Sequence, residues 1–249
     1  MPARDVTITV LFNNHTHNPK LRAAHGMSCL IEGLSKTVLF DTGGDGVILL
    51  DNMKALGKDP KAVDVVAISH GHWDHSGGLF AFLHQARPGI DAFMPRAVSG
   101  LFREHAALLG AKVTVVDGPV EIVKGLHSTG EMGGESLPAD KHEQALVFEG
   151  EAGAVVLTGC AHPAIVDIVK RANTIVPGNI DTVVGGFHLK DSGADVAAAV
   201  IDGLRALGIR RIGPSHCTGD NHTDAFRRIW GDGLVGFDAG TTITFPLAA

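Results

Sequence analysis

The sequence predicts an α/β protein in which helices cover packed β-sheets. Three observations carry this. Short β-branched runs alternate with helical patterns from end to end, glycines stand where three of those helical patterns stop, and no linker, low-complexity tract or fixed-period repeat divides the 249 residues. With 45% of the residues hydrophobic, one core can serve a chain shorter than ~300 residues. Residues 1–249 are therefore expected to form a single domain.

In order along the chain, strands are expected at Val6–Phe12, Met27–Glu32, Thr37–Phe40, Val63–Ser69, Lys112–Val116, Glu143–Glu149 and Ala154–Thr158. Further strands are expected at Thr182–Val184, Arg211–Ile212, Leu234–Phe237 and Thr241–Phe245. Helices are expected at Gly46–Leu56, Leu79–Ala86, Ser99–Leu109, Pro163–Val176, Ala194–Leu207 and Thr223–Trp230, each with apolar residues three and four apart. Gly57, Gly110 and Gly208 follow three of these as stop signals. Gly125–Lys141, rich in Gly, Ser and Glu, reads as a surface loop of the kind that often carries substrate contacts.

Composition narrows the function. The net charge is −6 without a Lys/Arg cluster, which disfavours the basic face a nucleic-acid partner requires. No run approaches the ~20 apolar residues of a membrane span. Met1–Asp5 is followed at once by the alternating Val6-Thr7-Ile8-Thr9-Val10, a strand pattern and not a secretory signal. Three cysteines, Cys29, Cys160 and Cys217, suggest reduced thiols and not a disulfide framework. A cytoplasmic protein acting on a small molecule is expected, and the sequence leaves its oligomeric state open.

The strongest chemical signal follows the strand ending at Ser69. His70-Gly71-His72-Trp73-Asp74-His75 places four potential ligands in six residues, just before a helix. In an extended turn, alternate positions project to one side, so His70 and His72 can share one metal while Asp74 and His75 reach a second. An ordinary polar loop is the bland alternative, but donors packed this closely need a partner to offset their desolvation. Imidazole with carboxylate suits zinc, iron or manganese. Of the 14 histidines, three later ones also stand where a strand pattern stops: His162, His188 and His216. Such ends meet along one edge of a sheet, where open α/β sheets place their sites. His15, His17, His25, His84, His105, His127, His142 and His222 lack that position and read mostly as surface or loop histidines.

These segments, in this order, resemble the metallo-β-lactamase superfamily. The match includes Phe40-Asp41-Thr42-Gly43-Gly44, His70–His75, His162 and His216. The sequence is more similar to one branch, the dihydropteroate-synthase-like metallo-β-lactamase-fold proteins, some of which are associated with a pterin-ribofuranosylaminobenzene phosphate synthase activity. That likeness rests on His25-Gly26-Met27-Ser28, Ser69-His70-Gly71-His72, Thr158-Gly159-Cys160-Ala161-His162, Gly185-Gly186-Phe187-His188-Leu189 and His216-Cys217-Thr218-Gly219.

The resemblance implies an αββα sandwich with a site at one sheet edge. It implies two divalent transition-metal ions, zinc before iron or manganese. One would be held by His70, His72 and His162, the other by Asp74, His75 and His216, with Asp41 as an orienting acceptor beneath. Many members carry a bridging Asp between the last two histidine segments, whereas this chain has Gly185-Gly186-Phe187-His188. The second site is therefore expected to bind more weakly, and His188 to serve as a proton donor in preference to a ligand. Trp73 is either a pocket wall or a core aromatic. The implied activity is hydrolysis of a phosphoester, lactone or thioester by a hydroxide activated between two metals, with Asp74 accepting its proton. The alternatives are a synthase acting on a pterin-like ring and a phosphorylated aromatic, and a metal-binding or redox module without hydrolysis.

Overall fold

The computed structural model describes residues 5–135 and 137–247. Met1–Arg4 of the opening segment, and Ser136 within the expected 125–141 loop, lie outside the described residues. In chain order the strands are Asp5–Phe12 (β1), Ser28–Glu32 (β2), Val38–Phe40 (β3), Val65–Ala67 (β4), Asp91–Pro95 (β5), Lys112–Val116 (β6), Val120–Val123 (β7), Leu126–Ser128 (β8), Leu146–Gly150 (β9), Gly153–Thr158 (β10), Ile180–Gly186 (β11), Arg211–Ser215 (β12) and Thr242–Pro246 (β13). The helices are Gly46–Ala55 (α1), Trp73–Ser76 (α2), Leu79–Gln85 (α3), Gly100–Leu108 (α4), Ile165–Ala172 (α5), Ala194–Ala206 (α6) and Asp220–Trp230 (α7).

Seven strands form one sheet in the order β13-β1-β2-β3-β4-β5-β6, and six form the other in the order β12-β11-β10-β9-β8-β7. Alternation along the strands builds three apolar layers. Val65 and Ala67 of β4 face Val155 and Leu157 of β10 across the inter-sheet core, while the intervening Val66 packs outward with Leu49 of α1 and Phe82 of α3. On the far side, Val156 of β10 packs with Ile168 of α5 and Leu204 of α6. Helices therefore cover both outer faces, which is the expected αββα sandwich.

Some expectations need correction. Asp91–Pro95, which carries no β-branched residue, becomes a strand because it is laddered in parallel between β4 and β6. Leu234–Phe237 is not a strand: Leu234 makes one bridge to Ile212, and Val235 N–H donates to Ile212 at 2.7 Å. Its apolar residues serve burial instead, with Phe237 in the inter-sheet core. The loop expected at 125–141 begins with a strand, β8, which pairs with β7 and β9. Among the described residues, no helix is long and apolar enough to cross a membrane.

The topology also aligns the chemistry. β10, β11 and β12 run parallel as neighbours, so the residues after them, His162, His188 and His216, emerge on one edge. The His70–His75 segment reaches the same place from β4 of the other sheet.

Candidate metal centre

The turn after β3 is the floor of the site. Asp41 is fully buried, and its carboxylate accepts the Ser69 N–H at 2.6 Å and the Ser69 hydroxyl at 2.7 Å. It also faces His75 Nδ1 at 2.7 Å. Thr42 donates both its N–H, at 2.7 Å, and its hydroxyl, at 3.0 Å, to the His75 carbonyl. The Asp-Thr-Gly turn thus ties down both ends of the histidine segment, with Asp41 in its expected place as an orienting acceptor. Gly26 is required above it: its φ is +140°, and a Cβ there would lie 2.3 Å from the Asp74 carbonyl.

The expected donors fall into two groups. The ligand atoms of His70, His72 and His162 lie within 4.8 Å of one another, as do those of Asp74, His75, His216 and, in addition, Cys160. His216 Nε2 is 3.2 Å from Asp74 Oδ2 and 3.1 Å from His75 Nε2, and the Cys160 sulfur is 3.1 Å from the same His75 nitrogen. The His70 and His75 rings, one from each group, have centroids 4.3 Å apart, so the groups adjoin.

Four imidazoles are oriented from behind. Because the Ser69 hydroxyl is spent on Asp41, the His70 Nδ1–H donates to Ser69 Oγ, 2.9 Å away. His75 Nδ1 meets Asp41, His162 Nδ1 meets Glu143 Oε2 at 3.0 Å, and His216 Nδ1 meets Asn14 Oδ1 at 3.0 Å. Each acceptor fixes the tautomer that leaves Nε2 as a bare lone pair pointing inward, the arrangement in which protein histidines hold metals. His70 Nε2 is buried and finds no hydrogen-bond partner among the described residues. Such a nitrogen is costly unless a cation meets it. The facing Nε2 atoms of His75 and His216 make the same demand. The residues present therefore fit a pair of divalent transition-metal ions.

Electrostatics agree with a cation-receptive centre. Burial, with His75 nearby, holds the His70 pKa well below the usual imidazole range. Burial also pulls against protonation of His75, but the Asp41 charge and hydrogen bond exceed it and push His75 up to about 9, so at neutral pH its Nε2 carries a proton that a metal would have to displace. Asp74 stays below the ordinary carboxylate range: burial opposes ionisation, but His216 and His75 outweigh it. Burial and the adjacent Cys217 push the Cys160 thiol well up.

Five contributors lie outside the expected ligand set. Glu143 accepts backbone N–H groups from Gly159, Cys160, Ala161 and His162, fixing the loop after β10. Asn14 orients His216. Cys160 stands in the second group, and Cys217 lies beside it with its sulfur 3.4 Å from the Cys160 carbonyl. His25, expected among the surface histidines, places Nε2 3.2 Å from Asp74 Oδ2. The signal for Cys160 was available, since it sits two residues before His162. Glu143 carried none, because it read as the first residue of a strand.

His188 is exposed, its ring centroid 4.4 Å from that of His162. The adjacent Cys217 raises its pKa above the ordinary value. Trp73 is a wall and not a core aromatic: it is 63% exposed and lines a cleft of about 500 Å³ together with His72, Asp74, Cys160, His162 and His188. Backbone strain gathers here as well. Asp41, Ala161, His188 and His216 have φ between 50° and 61°, a conformation that non-glycine residues keep mainly where function or surrounding structure holds them.

Residues 22–216 match the model of the metallo-beta-lactamase superfamily. With the two-sheet sandwich and the paired donor groups, this match means that the chain belongs to the metallo-β-lactamase superfamily. The 7,8-dihydropterin-6-methyl-4-(beta-D-ribofuranosyl)-aminobenzene-5'-phosphate synthase of Methanocaldococcus jannaschii is 28% identical, over 92% of each chain. An uncharacterized protein of the same organism is 26% identical, over 85% of this chain and 90% of its own. Among solved structures, the metal-dependent hydrolase Tm1679 is similar with a TM-score of 0.79 and 28% identity, covering 96% of this chain and 98% of its own.

Proposed function

We propose that the chain is a metal-dependent hydrolase that cleaves a small-molecule ester: a phosphoester, lactone or thioester. The observation that carries this reading is the set of four imidazoles fixed from behind at Nδ1, with His70 Nε2 left buried and unpartnered among the described residues, its ring against those of His72 and His162, which line the cleft. When bound, a pair of divalent ions supplies Lewis-acid polarisation and a nucleophile at neutral pH. His70, His72 and His162 would hold one ion, and Asp74, His75 and His216 the other, with zinc favoured over iron or manganese.

Asp74 orients the attacking group and accepts a proton on Oδ2, whose position is kept by His25 and His216 at 3.2 Å each. His188, solvent-reached and with a raised pKa, hands a proton from its imidazolium form to the leaving group and is left as neutral imidazole. Trp73 closes one side of the cleft against water.

The likeness to a solved metal-dependent hydrolase supports this reading. A second reading, a synthase joining a pterin-like ring to a phosphorylated aromatic, is favoured by the 28% identical archaeal synthase. The test is to strip the full chain with chelator, reload it with zinc, iron or manganese, and offer phosphodiester, lactone and thioester substrates. Turnover that appears only on reloading supports hydrolysis. No turnover of any ester, with consumption of a pterin and a phosphorylated aromatic together, supports the synthase instead.

A further inference from the structure

We infer that Cys160 is a thiolate ligand of the second metal ion and takes the place of the carboxylate that this chain lacks. The inference rests on the two-metal reading above and goes beyond it by adding a sulfur donor and, with it, a metal preference.

The bland role for a buried cysteine is that of a small hydrophobe, and the chain contains an example for comparison. Cys29 packs in the inter-sheet core among valines and phenylalanines. Cys160, buried at 3% exposure but lining the cleft, belongs to none of the three apolar clusters. Its sulfur instead sits 3.1 Å from His75 Nε2, in a group whose other members are Asp74 and His216. The backbone that carries the sulfur is fixed: Glu143 Oε1 accepts the N–H groups of Gly159, Cys160 and Ala161 at 3.1, 2.8 and 3.0 Å, so the loop cannot move the Cys160 Cα–Cβ bond away from the group without unpairing buried donors.

The neighbouring strand explains why sulfur is needed. At Gly186, the end of β11, a Cβ would lie 2.5 Å from the Gly159 carbonyl and 2.6 Å from the Cys217 sulfur. No carboxylate fits at that strand end. Asp74 and Cys160 are then the anionic donors of a group of four, the number zinc takes in closed sites, whereas the first group has three. This reverses the order of affinity expected from the sequence: the second site is the tighter one. A thiolate also selects zinc, cobalt or iron over manganese and magnesium.

Cobalt(II) substitution of the full chain tests this, because a sulfur ligand gives a near-ultraviolet sulfur-to-cobalt charge-transfer absorption that nitrogen and oxygen donors lack. The wild type should bind about two equivalents of cobalt and show the band, and C217S should keep it. C160S should lose the band, and its affinity for the tighter ion should fall by at least about tenfold. A band that persists in C160S, or one that disappears in C217S alone, would overturn the assignment. If C160S does not fold, X-ray absorption of the zinc-loaded C217S variant decides: a zinc–sulfur distance near ~2.3 Å supports the ligand, and only shells at ~2.0–2.1 Å refute it. Failure of the underlying reading looks different, since the wild type would then bind no cobalt at all.

Discussion

Glu143→Gln removes a single charge at constant shape, and the structure fixes what that change costs. Glu143 is buried, and its Oε1 accepts the N–H groups of Gly159, Cys160 and Ala161 while Oε2 accepts the N–H and Nδ1 of His162. A glutamine keeps the larger share by pointing its oxygen at the first three. Its amide then faces two donors at His162, and no rotamer avoids this. Each buried donor left unpaired costs ~1–3 kcal/mol, so the variant should lose ~2–6 kcal/mol. At ~2–4 °C per kcal/mol for a chain of this size, the melting temperature should fall by roughly 4–24 °C, measured on chelator-treated protein so that metal does not contribute. His162 also loses the acceptor that fixes its tautomer, and zinc affinity at the first site should drop ~10–100-fold by competition with a chromophoric chelator. A melting temperature within about 1 °C of wild type, with unchanged zinc affinity, would refute the claim that this carboxylate organises the site.

Other expectations follow from the same geometry. His70→Ala should cost about one equivalent of metal by elemental analysis while Asp41 and His75 stay paired, and an unchanged content would remove His70 from the ligand set. His188→Asn should keep the metal and lower kcat by ~10²–10⁴, more for poor leaving groups than good ones, and an equal fall for both would sink its role as an acid. Trp73→Ala, at a 63% exposed position, should alter stability by less than about 0.5 kcal/mol yet raise KM for any substrate turned over, and an unchanged KM would remove Trp73 from the cleft's binding surface. His142 is held above the ordinary imidazole pKa by Glu131, and its other nitrogen faces the carbonyls of Gly134 and Leu137. Its stabilisation is therefore complete below pH ~6.5 and is lost as pH rises through the raised folded value, so the gap between wild type and His142→Gln should be widest at low pH and a constant gap would contradict it.

How legible each part of the molecule was depends on how local its causes are. β1 and β4 could be read from their own residues, since Val6, Ile8 and Val10, or Val65 and Val66, carry the preference themselves. β5 could not, because Ala92, Phe93 and Met94 are made a strand by the ladders on either side. Leu234–Phe237 failed the other way: its apolar residues are wanted for burial, and Ile212 offers it one bridge and not a ladder. In the site, the His70–His75 cluster was legible because four donors share six residues. Cys160 stood in view two residues before His162 but was passed over because a buried cysteine ordinarily serves as a small hydrophobe, and His25 because it precedes the strand at Ser28–Glu32 instead of following one. Glu143 and Asn14 were invisible because they act on groups 16 to 19 and 202 residues away, and nothing in their own neighbourhoods marks them.

The two-cation centre stands or falls on metal content. Full-length protein purified without chelator, and again after stripping and reloading with zinc, should carry about two equivalents per chain by elemental analysis. Less than about a tenth of an equivalent after reloading with zinc, iron and manganese in turn would contradict the account, because His70 Nε2 would then remain buried without any partner.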